Sequence, residues 1–182
     1  MGRMQIYQLK ITLKDVHPPV WRRIQVPGDM KLGKLHRVLQ DTMGWTDSHL
    51  HAFRIGNETY GVPDPDFEDD MRSERNIRLD SLVSEGGRLI YEYDFGDNWQ
   101  HETLVEKALP SEPGARYPRC LAGKRACPPE DCGGVWGYQN LLGIVANPKH
   151  EEYKETLEWL GGEFDPEAFD LDAVNRLLRK IG

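Results

Sequence analysis

Three of the six histidines carry the most recognisable chemistry in the sequence. His49 and His51 stand two residues apart in "SHLHAFRIG", a stretch typical of a strand, so their imidazoles would point to the same side. A His-x-His pair is a common two-ligand arrangement for zinc or iron. His101 would add a third imidazole, enough for a catalytic metal with an open coordination position. One hypothesis is therefore a metal-dependent (Zn or Fe) enzyme, such as a hydrolase, that uses these three histidines.

A predicted hairpin supplies acidic partners for His101. In "RLIYEYDFGDNWQHETLVEKAL" two strand-like runs flank Gly96-Asp97, a pair suited to a two-residue turn. That turn would place Asp94 opposite Trp99 and Glu92 opposite His101, all on one face. Because a neighbouring carboxylate raises the basicity of an imidazole, Asp94, Glu92 and His101 are candidate catalytic residues. The alternative is an ordinary cross-strand ion pair on a solvated face. A turn longer by one residue would divide the four residues between both faces.

The three cysteines offer a second candidate metal site. Cys120, Cys127 and Cys132 have the spacing C-x6-C-x4-C, in which the second gap fits a structural zinc site and the first does not. Three thiolates and one histidine would complete a tetrahedral zinc site. The alternative is a rigid loop in "ACPPEDCGG" that ends in glycines and begins a helix, with the thiols packed as small apolar groups. The first gap favours this structural alternative.

Binding is favoured over catalysis, because the sequence shows no recognisable set of nucleophile, base and oxyanion donors. The favoured hypothesis is a binding module for a partner protein or a nucleic acid, acting as an accessory protein of a mobile element. Its surface would combine one face of the hairpin, the His49/His51 strand and the loop 127–134. The residues predicted to form this ligand or partner surface are Trp45, Asp94, Asp97, Trp99, His101, Glu130, Asp131, Gly133, Gly134 and Tyr138.

The net charge of −7 disfavours a nucleic-acid partner, because such binding depends on many Lys and Arg contacts to phosphates. A local basic patch of Arg22, Arg23, Lys124 and Arg125 is the remaining route to a nucleic-acid accessory role. No run approaches the ~18 apolar residues of a membrane span. An odd number of cysteines without an export signal predicts free thiols in a reducing compartment, so we expect a soluble cytoplasmic protein.

The pattern of elements predicts an α+β fold. Alternating strands lead into an amphipathic helix, in which Leu32, Leu35 and Leu39 form a stripe that ends at Gly44. The order hairpin, helix, strand, hairpin predicts a β-grasp-like mixed sheet, with helices at about 135–146, 150–160 and 171–181 packed on it or beside it. An acidic loop covers 62–70 and a long loop 110–134. We expect one domain over 1–182, with a sheet-forming part of about 1–109 and a part of about 110–182 that holds the cysteine loop and the helices.

Several motifs together resemble the Ri-plasmid open-reading-frame-three family of uncharacterised prokaryotic proteins. The most specific is "YPRCLAGKRACPPEDCGGVWGY", accompanied by "YDFGDNWQHETLVE", "FDPEAFD", "YQLKITLKDVHPPVWRRIQVP" and "WTDSHLHAFRIG". The resemblance covers about Gln5 to Leu178 and implies a shared fold and a shared site at these motifs. Some relatives carry a transposon resolvase-like label. That label fits this sequence poorly, because a serine recombinase needs a basic DNA-binding tail and the net charge here is −7.

Overall fold

The computed structural model describes residues 4–66 and 70–182 of the chain. Within this part, eight strands form one mixed sheet, and four α-helices accompany it. The strands are β1 (Gln5–Leu13), β2 (Trp21–Pro27), β3 (His51–Ile55), β4 (Glu58–Gly61), β5 (Arg72–Ser73), β6 (Arg88–Tyr93), β7 (Trp99–Pro110) and β8 (Arg119–Lys124). The helices are α1 (Leu32–Met43), α2 (Gly134–Val145), α3 (Tyr153–Leu160) and α4 (Leu171–Leu178). Residues 67–69 of the predicted acidic loop lie outside the described residues. None of the described helices has the length and apolarity needed to cross a membrane.

The strands follow the order β5-β4-β3-β6-β7-β1-β2-β8, and every neighbouring pair is antiparallel except β4 and β5. Strand β1 lies between β7 and β2, and its inward residues Leu9, Ile11 and Leu13 are buried. Every second residue of this part of β1 is buried, as expected for a strand that has one face toward the core. The sheet therefore has its most extensive pairing around β1 and β7, and the hairpin of β6 and β7 extends it toward the candidate site.

Helix α1 confirms the predicted amphipathic pattern. Leu32, Leu35 and Leu39 are fully buried and belong to the same hydrophobic cluster as the inward residues of the sheet. The helix ends at Gly44, whose positive φ of 111° suits glycine, and the Gly44 N–H donates to the carbonyl of Gln40. A spacing of three and four residues was sufficient to identify this helix, because its buried stripe is continuous.

The C-terminal helices are less deeply buried than α1. Helix α3 has no buried residue, and α4 buries only Leu178. Asp170 caps the start of α4, with its carboxylate accepting from the Ala173 N–H. Helix α4 covers the outer edge of β8, where the side-chain amide of Asn175 accepts from the Cys120 N–H and donates to the Cys120 carbonyl. The Asn175 amide thus takes the place that a neighbouring strand would occupy.

The predicted combination of a mixed sheet with helices is confirmed, whereas the finer β-grasp-like arrangement is not. The prediction of a continuous loop over 110–134 is wrong, because β7 extends to Pro110 and β8 forms within that segment. Strand β8 pairs with β2 through a register shift between Arg23 and Ile24. Its sequence "RCLAGK" has little apolar alternation, so the strand depends on pairing with β2 rather than on a local pattern.

Candidate functional site

The turn between β6 and β7 is longer than the predicted two residues. Tyr93 pairs with Trp99 and Tyr91 pairs with His101, so residues 94–98 form the turn. Asp94 holds this turn: its Oδ1 accepts from the Gly96 N–H at 3.0 Å, and its φ of 58° lies in the left-handed region. The predicted pairings of Asp94 with Trp99 and of Glu92 with His101 are therefore wrong.

The shifted register places the predicted polar face on two sides of the sheet. Trp99 and His101 are fully buried beside Tyr91, whereas Glu92 points to the opposite face and forms an ion pair with Arg54 at 2.9 Å. The structure thus separates the candidate catalytic residues Glu92 and His101 from each other. A slip of one residue has this effect because side chains alternate along a strand.

His101 is a neutral, hydrogen-bonded core residue. Its Nδ1 donates to the Tyr91 carbonyl at 3.0 Å, and its Nε2 accepts from the Trp45 indole at 3.0 Å. The two partners fix the tautomer, since a carbonyl only accepts and an indole N–H only donates. Burial lowers the pKa of His101 to about 4, so the ring is neutral at physiological pH.

His51 belongs to a second cluster, which also contains a histidine that the sequence analysis did not identify. Its ring stacks on His36 with centroids 3.5 Å apart, and its Nε2 lies 2.9 Å from Glu74 Oε2. His36 is bonded on both sides, by the Tyr91 hydroxyl at 2.7 Å and by Asp47 Oδ1 at 2.8 Å. Burial, and then the neighbouring His51, lower the pKa of His36. We call His36 and His51 the histidine pair.

His49 lies with three carboxylates that the sequence analysis had assigned to a binding surface. It stands in the loop before β3, and its Nε2 is 2.9 Å from Asp131 Oδ1, 3.6 Å from Asp94 Oδ2 and 3.9 Å from Glu130 Oε2. Three chain segments meet here: the loop before β3, the β6–β7 turn and the loop before α2. We call His49, Asp94, Glu130 and Asp131 the open cluster.

The three predicted histidine ligands do not converge. Within the described residues, the group that brings three ligand atoms within 4.8 Å of one another consists of His49, Asp94 and Asp131. It includes neither His51 nor His101, because these rings belong to the histidine pair and to the core. The predicted site of three histidines is therefore wrong, although His49 keeps acidic neighbours suited to a metal.

The cysteines are free thiols in packed surroundings. Cys120 is buried in β8, and Cys127 lies against α1, where a Cβ at Gly44 would be 3.3 Å from the Cys127 Cβ. Burial is the largest cause that raises the pKa of all three thiols, and that of Cys132 reaches about 12. No cysteine belongs to the ligand group found in the described residues. The predicted thiolate zinc site is not formed, and the geometry favours the structural loop.

The loop before α2 approaches the β6–β7 turn closely. The Gly133 N–H donates to Asp97 Oδ2 at 3.1 Å. Gly134 has a φ of 68°, and a Cβ there would lie 2.6 Å from the Asp97 carbonyl oxygen, so no larger residue fits. Asp97, Gly133 and Gly134 of the predicted surface are thus brought together. Their contact begins helix α2 directly beside the turn.

Four other residues of the predicted surface are buried instead. Trp45, Trp99, His101 and Tyr138 have exposed fractions of 5% or less. The Trp99 and Tyr138 rings pack edge to face with centroids 6.4 Å apart. Their placement on a surface was wrong, because the longer turn directs Trp99 and His101 inward and α2 places Tyr138 against Trp99.

Hydrogen bonds and ion pairs within the protein engage three of the four residues of the predicted basic patch. Arg22 is buried and donates to the carbonyls of Thr42 and Met43. Arg23 forms a two-point ion pair with Glu106, and Arg125 is buried with its guanidinium 2.9 Å from Glu167. These three guanidinium groups join separate segments of the fold, which leaves the exposed Lys124 as the cation of this patch available to a nucleic-acid backbone.

An open cleft of about 720 Å³ lies beside the turn and the start of α2. The loop after β1, the β6–β7 turn and the first turns of α2 form its walls. Trp136, on one wall, is 84% exposed. The lining residues are Lys14, Asp15, His17, Gly96, Asp97, Asn98, Gln100, Gly133, Gly134, Val135, Trp136 and Gln139.

Comparison with known proteins finds relatives that match almost the whole chain. A family model described as plasmid pRiA4b ORF-3-like protein matches residues 5–173, which confirms the resemblance that the motifs indicate. The uncharacterized protein y4hQ of Sinorhizobium fredii is 41% identical over 174 residues, covering 94% of this chain and 89% of that protein. The crystal structure of a protein of unknown function, MM3350 from Methanosarcina mazei Go1, has a TM-score of 0.87 and 42% identity, covering 94% of this chain and 98% of that one.

Proposed function

This chain belongs to the plasmid pRiA4b ORF-3-like family, and from its cleft we propose that it is a binding module for an extended peptide segment of a partner protein. The observation that carries the proposal is the cleft of about 720 Å³ with the exposed indole of Trp136 on its wall. This volume lies within the ~300–1,000 Å³ typical of ligand sites. Such a module suits an accessory protein of a mobile element.

Side-chain amides in the cleft match the hydrogen-bonding needs of a peptide backbone. Asn98, Gln100 and Gln139 line the cleft, and each amide has an acceptor oxygen and donor N–H groups. Gln100 is held in place, because it donates to Asn98 at 3.1 Å and accepts from Lys14 at 3.3 Å. The side chain of Gln139 makes no hydrogen bond within the described residues, so its donor and acceptor are available to a ligand.

The charges that line the cleft are mixed. Lys14 and His17 face it from the loop after β1, and Asp15 and Asp97 line it as well. This lining is more balanced than the chain as a whole, whose net charge is −7. A segment that carries both charges is better matched to such a lining than a polyanion is, so the charges favour a peptide over a nucleic acid.

The exposed indole of Trp136 provides the cleft with an anchor for apolar side chains of a partner. Trp136 is 84% exposed, and Phe95, next to the cleft residue Gly96, is 45% exposed. Tryptophan and phenylalanine are enriched in protein interfaces, and tryptophan often contributes a large share of the binding energy. The hydrogen bond between Gly133 and Asp97 holds two walls in position, which lowers the entropy cost of binding.

The test is selection of peptides from a random library on the full chain, followed by fluorescence-polarisation titration of the selected peptides. We expect Trp136→Ala to weaken their binding by at least about 10-fold, as for an anchoring tryptophan. The matched control is Trp159→Ala on α3, a tryptophan that is 53% exposed and does not line this cleft. Equal affinity of the wild type and Trp136→Ala would contradict the proposal. The proposal would also be contradicted if the protein selected no peptide from the library but bound a single-stranded oligonucleotide.

A further inference from the structure

We propose that the open cluster binds one divalent transition-metal ion, with His49 Nε2, Asp94 Oδ2 and Asp131 Oδ1 as ligands and Glu130 as a neighbouring negative charge. The three carboxylate oxygens lie 2.9–3.9 Å from the imidazole nitrogen. Bonds of about 2.1 Å at octahedral or tetrahedral angles separate ligand atoms by about 3.0–3.4 Å. The ligand atoms of His49, Asp94 and Asp131 lie within 4.8 Å of one another, so side-chain shifts of less than about 1 Å would bring them to one shared ion.

Two atoms of the cluster are buried and make no hydrogen bond. His49 Nε2 is one of them, although Asp131 Oδ1 lies 2.9 Å away, and Glu130 Oε2 is the other. Buried polar atoms without a partner are rare, because each one costs the free energy of its lost hydration. A cation held by His49, Asp94 and Asp131 would give His49 Nε2 a partner and would place a positive charge near Glu130 Oε2.

Each of the two inner carboxylates is held through one oxygen and offers the other to the cluster. Asp94 Oδ1 accepts from the Gly96 and Asp97 N–H groups, while its Oδ2 faces His49. Glu130 Oε1 accepts from the Thr46 N–H, the Thr46 hydroxyl and the Tyr93 hydroxyl, while its Oε2 faces His49. Metal ligands are typically oriented by such outer hydrogen bonds.

The charge of the cluster also calls for a cation. Three carboxylates surround one imidazole, so the cluster stays net negative even when His49 is protonated. Within the described residues, none of the three forms an ion pair with Arg or Lys. Like charges at this separation repel each other, and a divalent ion would remove that repulsion.

The ligand atoms indicate the class of ion. One imidazole nitrogen with carboxylate oxygens suits Mn²⁺, Fe²⁺ or Zn²⁺, whereas Ca²⁺ and Mg²⁺ prefer ligands that are all oxygen. Asp131 has a side chain that is 69% exposed, so the site is open to solvent on its side. An ion there would keep room for water or for a group from outside.

The test is isothermal titration of Mn²⁺ into the full chain after treatment with a chelator. Mn²⁺ is the first probe because thiols bind it weakly, which limits interference from the three cysteines. We expect one ion per chain, and His49→Ala or Asp131→Asn to weaken binding by at least about 100-fold, beyond the 10–100-fold effect of outer-shell changes. Circular dichroism would verify that each variant is folded.

Matched controls separate this site from non-specific binding to an acidic protein. His17→Gln and Glu92→Gln remove an imidazole and a carboxylate that lie outside the cluster, and we expect them to bind Mn²⁺ as the wild type does. Asp131→Asn is the most informative variant, because the side chain is 69% exposed and the change keeps its size, so we expect it to disturb the packing least. The proposal would be overturned if folded His49→Ala and Asp131→Asn bound Mn²⁺ as tightly as the controls, or if the wild type bound no Mn²⁺ at 1 mM.

Discussion

The histidine pair and the open cluster combine the same kinds of side chain with opposite results. In the histidine pair, both ring nitrogens of His36 and Nε2 of His51 have close polar partners. In the open cluster, His49 Nε2 is surrounded by carboxylates and makes no hydrogen bond. The comparison shows that histidine and acid residues alone do not identify a binding site. Whether the polar atoms already have partners in the protein is more informative.

The position of each cluster relative to the sheet explains the difference. The histidine pair lies between α1 and β3, and the Tyr91 hydroxyl of β6 completes its hydrogen bonds. The open cluster lies where three loops meet, and the exposed Asp131 forms one side of it. We therefore expect changes at buried imidazoles to reduce stability, and changes at the open cluster to affect ion binding. Three predictions test this difference, in order of decreasing effect.

Acidification should reveal the cost of keeping His101 neutral. In the unfolded chain the His101 imidazole has the usual pKa of about 6.5, whereas in the folded protein its pKa is about 4. Between pH 4 and pH 6.5 the unfolded chain therefore binds more protons than the folded protein. The contribution of the neutral His101 ring to the free energy of unfolding is complete well above pH 6.5 and is lost as the pH falls toward 4. Between pH 7 and 4.5 the loss from His101 is on the order of 2–3 kcal/mol. Urea denaturation at both pH values measures it.

The variant His101→Gln is the control for this pH dependence. It removes the titrating ring, so its free energy of unfolding should change less between pH 7 and 4.5 than that of the wild type. An equal change in both proteins would show that His101 is not the group responsible.

Removal of the Tyr91 hydroxyl should break the histidine pair without affecting the open cluster. Tyr91→Phe leaves His36 Nδ1 and the Gln40 amide without their buried partner, which should lower the free energy of unfolding by about 2 kcal/mol. The control is Tyr60→Phe, a buried tyrosine whose hydroxyl makes no hydrogen bond within the described residues. Urea denaturation would measure stability and titration would measure Mn²⁺ affinity. If the Tyr91→Phe protein were as stable as the Tyr60→Phe control, the hydrogen bonds between Tyr91 and the histidine pair would not stabilise the fold, and the prediction would be wrong.

Asp131→Asn should have the smallest effect on stability, and it should raise the free energy of unfolding, whereas the two changes above lower it. Without a divalent ion, loss of one of three neighbouring carboxylates relieves repulsion, so the variant should gain a few tenths of a kcal/mol at pH 8 and low ionic strength. The gain should diminish in 0.5 M NaCl, because salt screens exposed charges. Saturating Mn²⁺ should reverse the order, since only the wild type is stabilised by tight ion binding. A variant that is less stable than the wild type without Mn²⁺ would mean that the contact between His49 and Asp131 is attractive by itself.

The parts of the fold that were predictable are those with a continuous local pattern. The buried stripe of α1 follows from the spacing of its leucines, and its end follows from Gly44. The β6–β7 hairpin was also recognised, but its turn was not. Gly96-Asp97 is typical of a two-residue turn, whereas the Asp94 carboxylate closes a longer one by accepting from backbone N–H groups. That single difference moved Trp99 and His101 into the core.

The candidate site was predictable as a set of residues but not as a set of contacts. Asp94, Glu130 and Asp131 were all expected on a functional surface, and His49 was expected to bind a metal. His49 was paired with His51 because residues two apart share a face of a strand, but β3 begins only at His51, so the alternation does not extend to His49. His36 was missed because its partner Tyr91 is 55 residues away in sequence. Contacts of that kind depend on the assembled sheet and leave no local signal.

The contact of Asn175 with Cys120 bears on how copies of this protein coexist at high concentration. The last strand of a sheet presents free N–H and carbonyl groups on which another molecule could continue the sheet. Here one end strand, β5, has only two residues, and at the other end the Asn175 amide already occupies both backbone groups of Cys120. Helix α4 therefore also blocks strand addition at Cys120, which should disfavour fibre-like growth of the sheet from this edge.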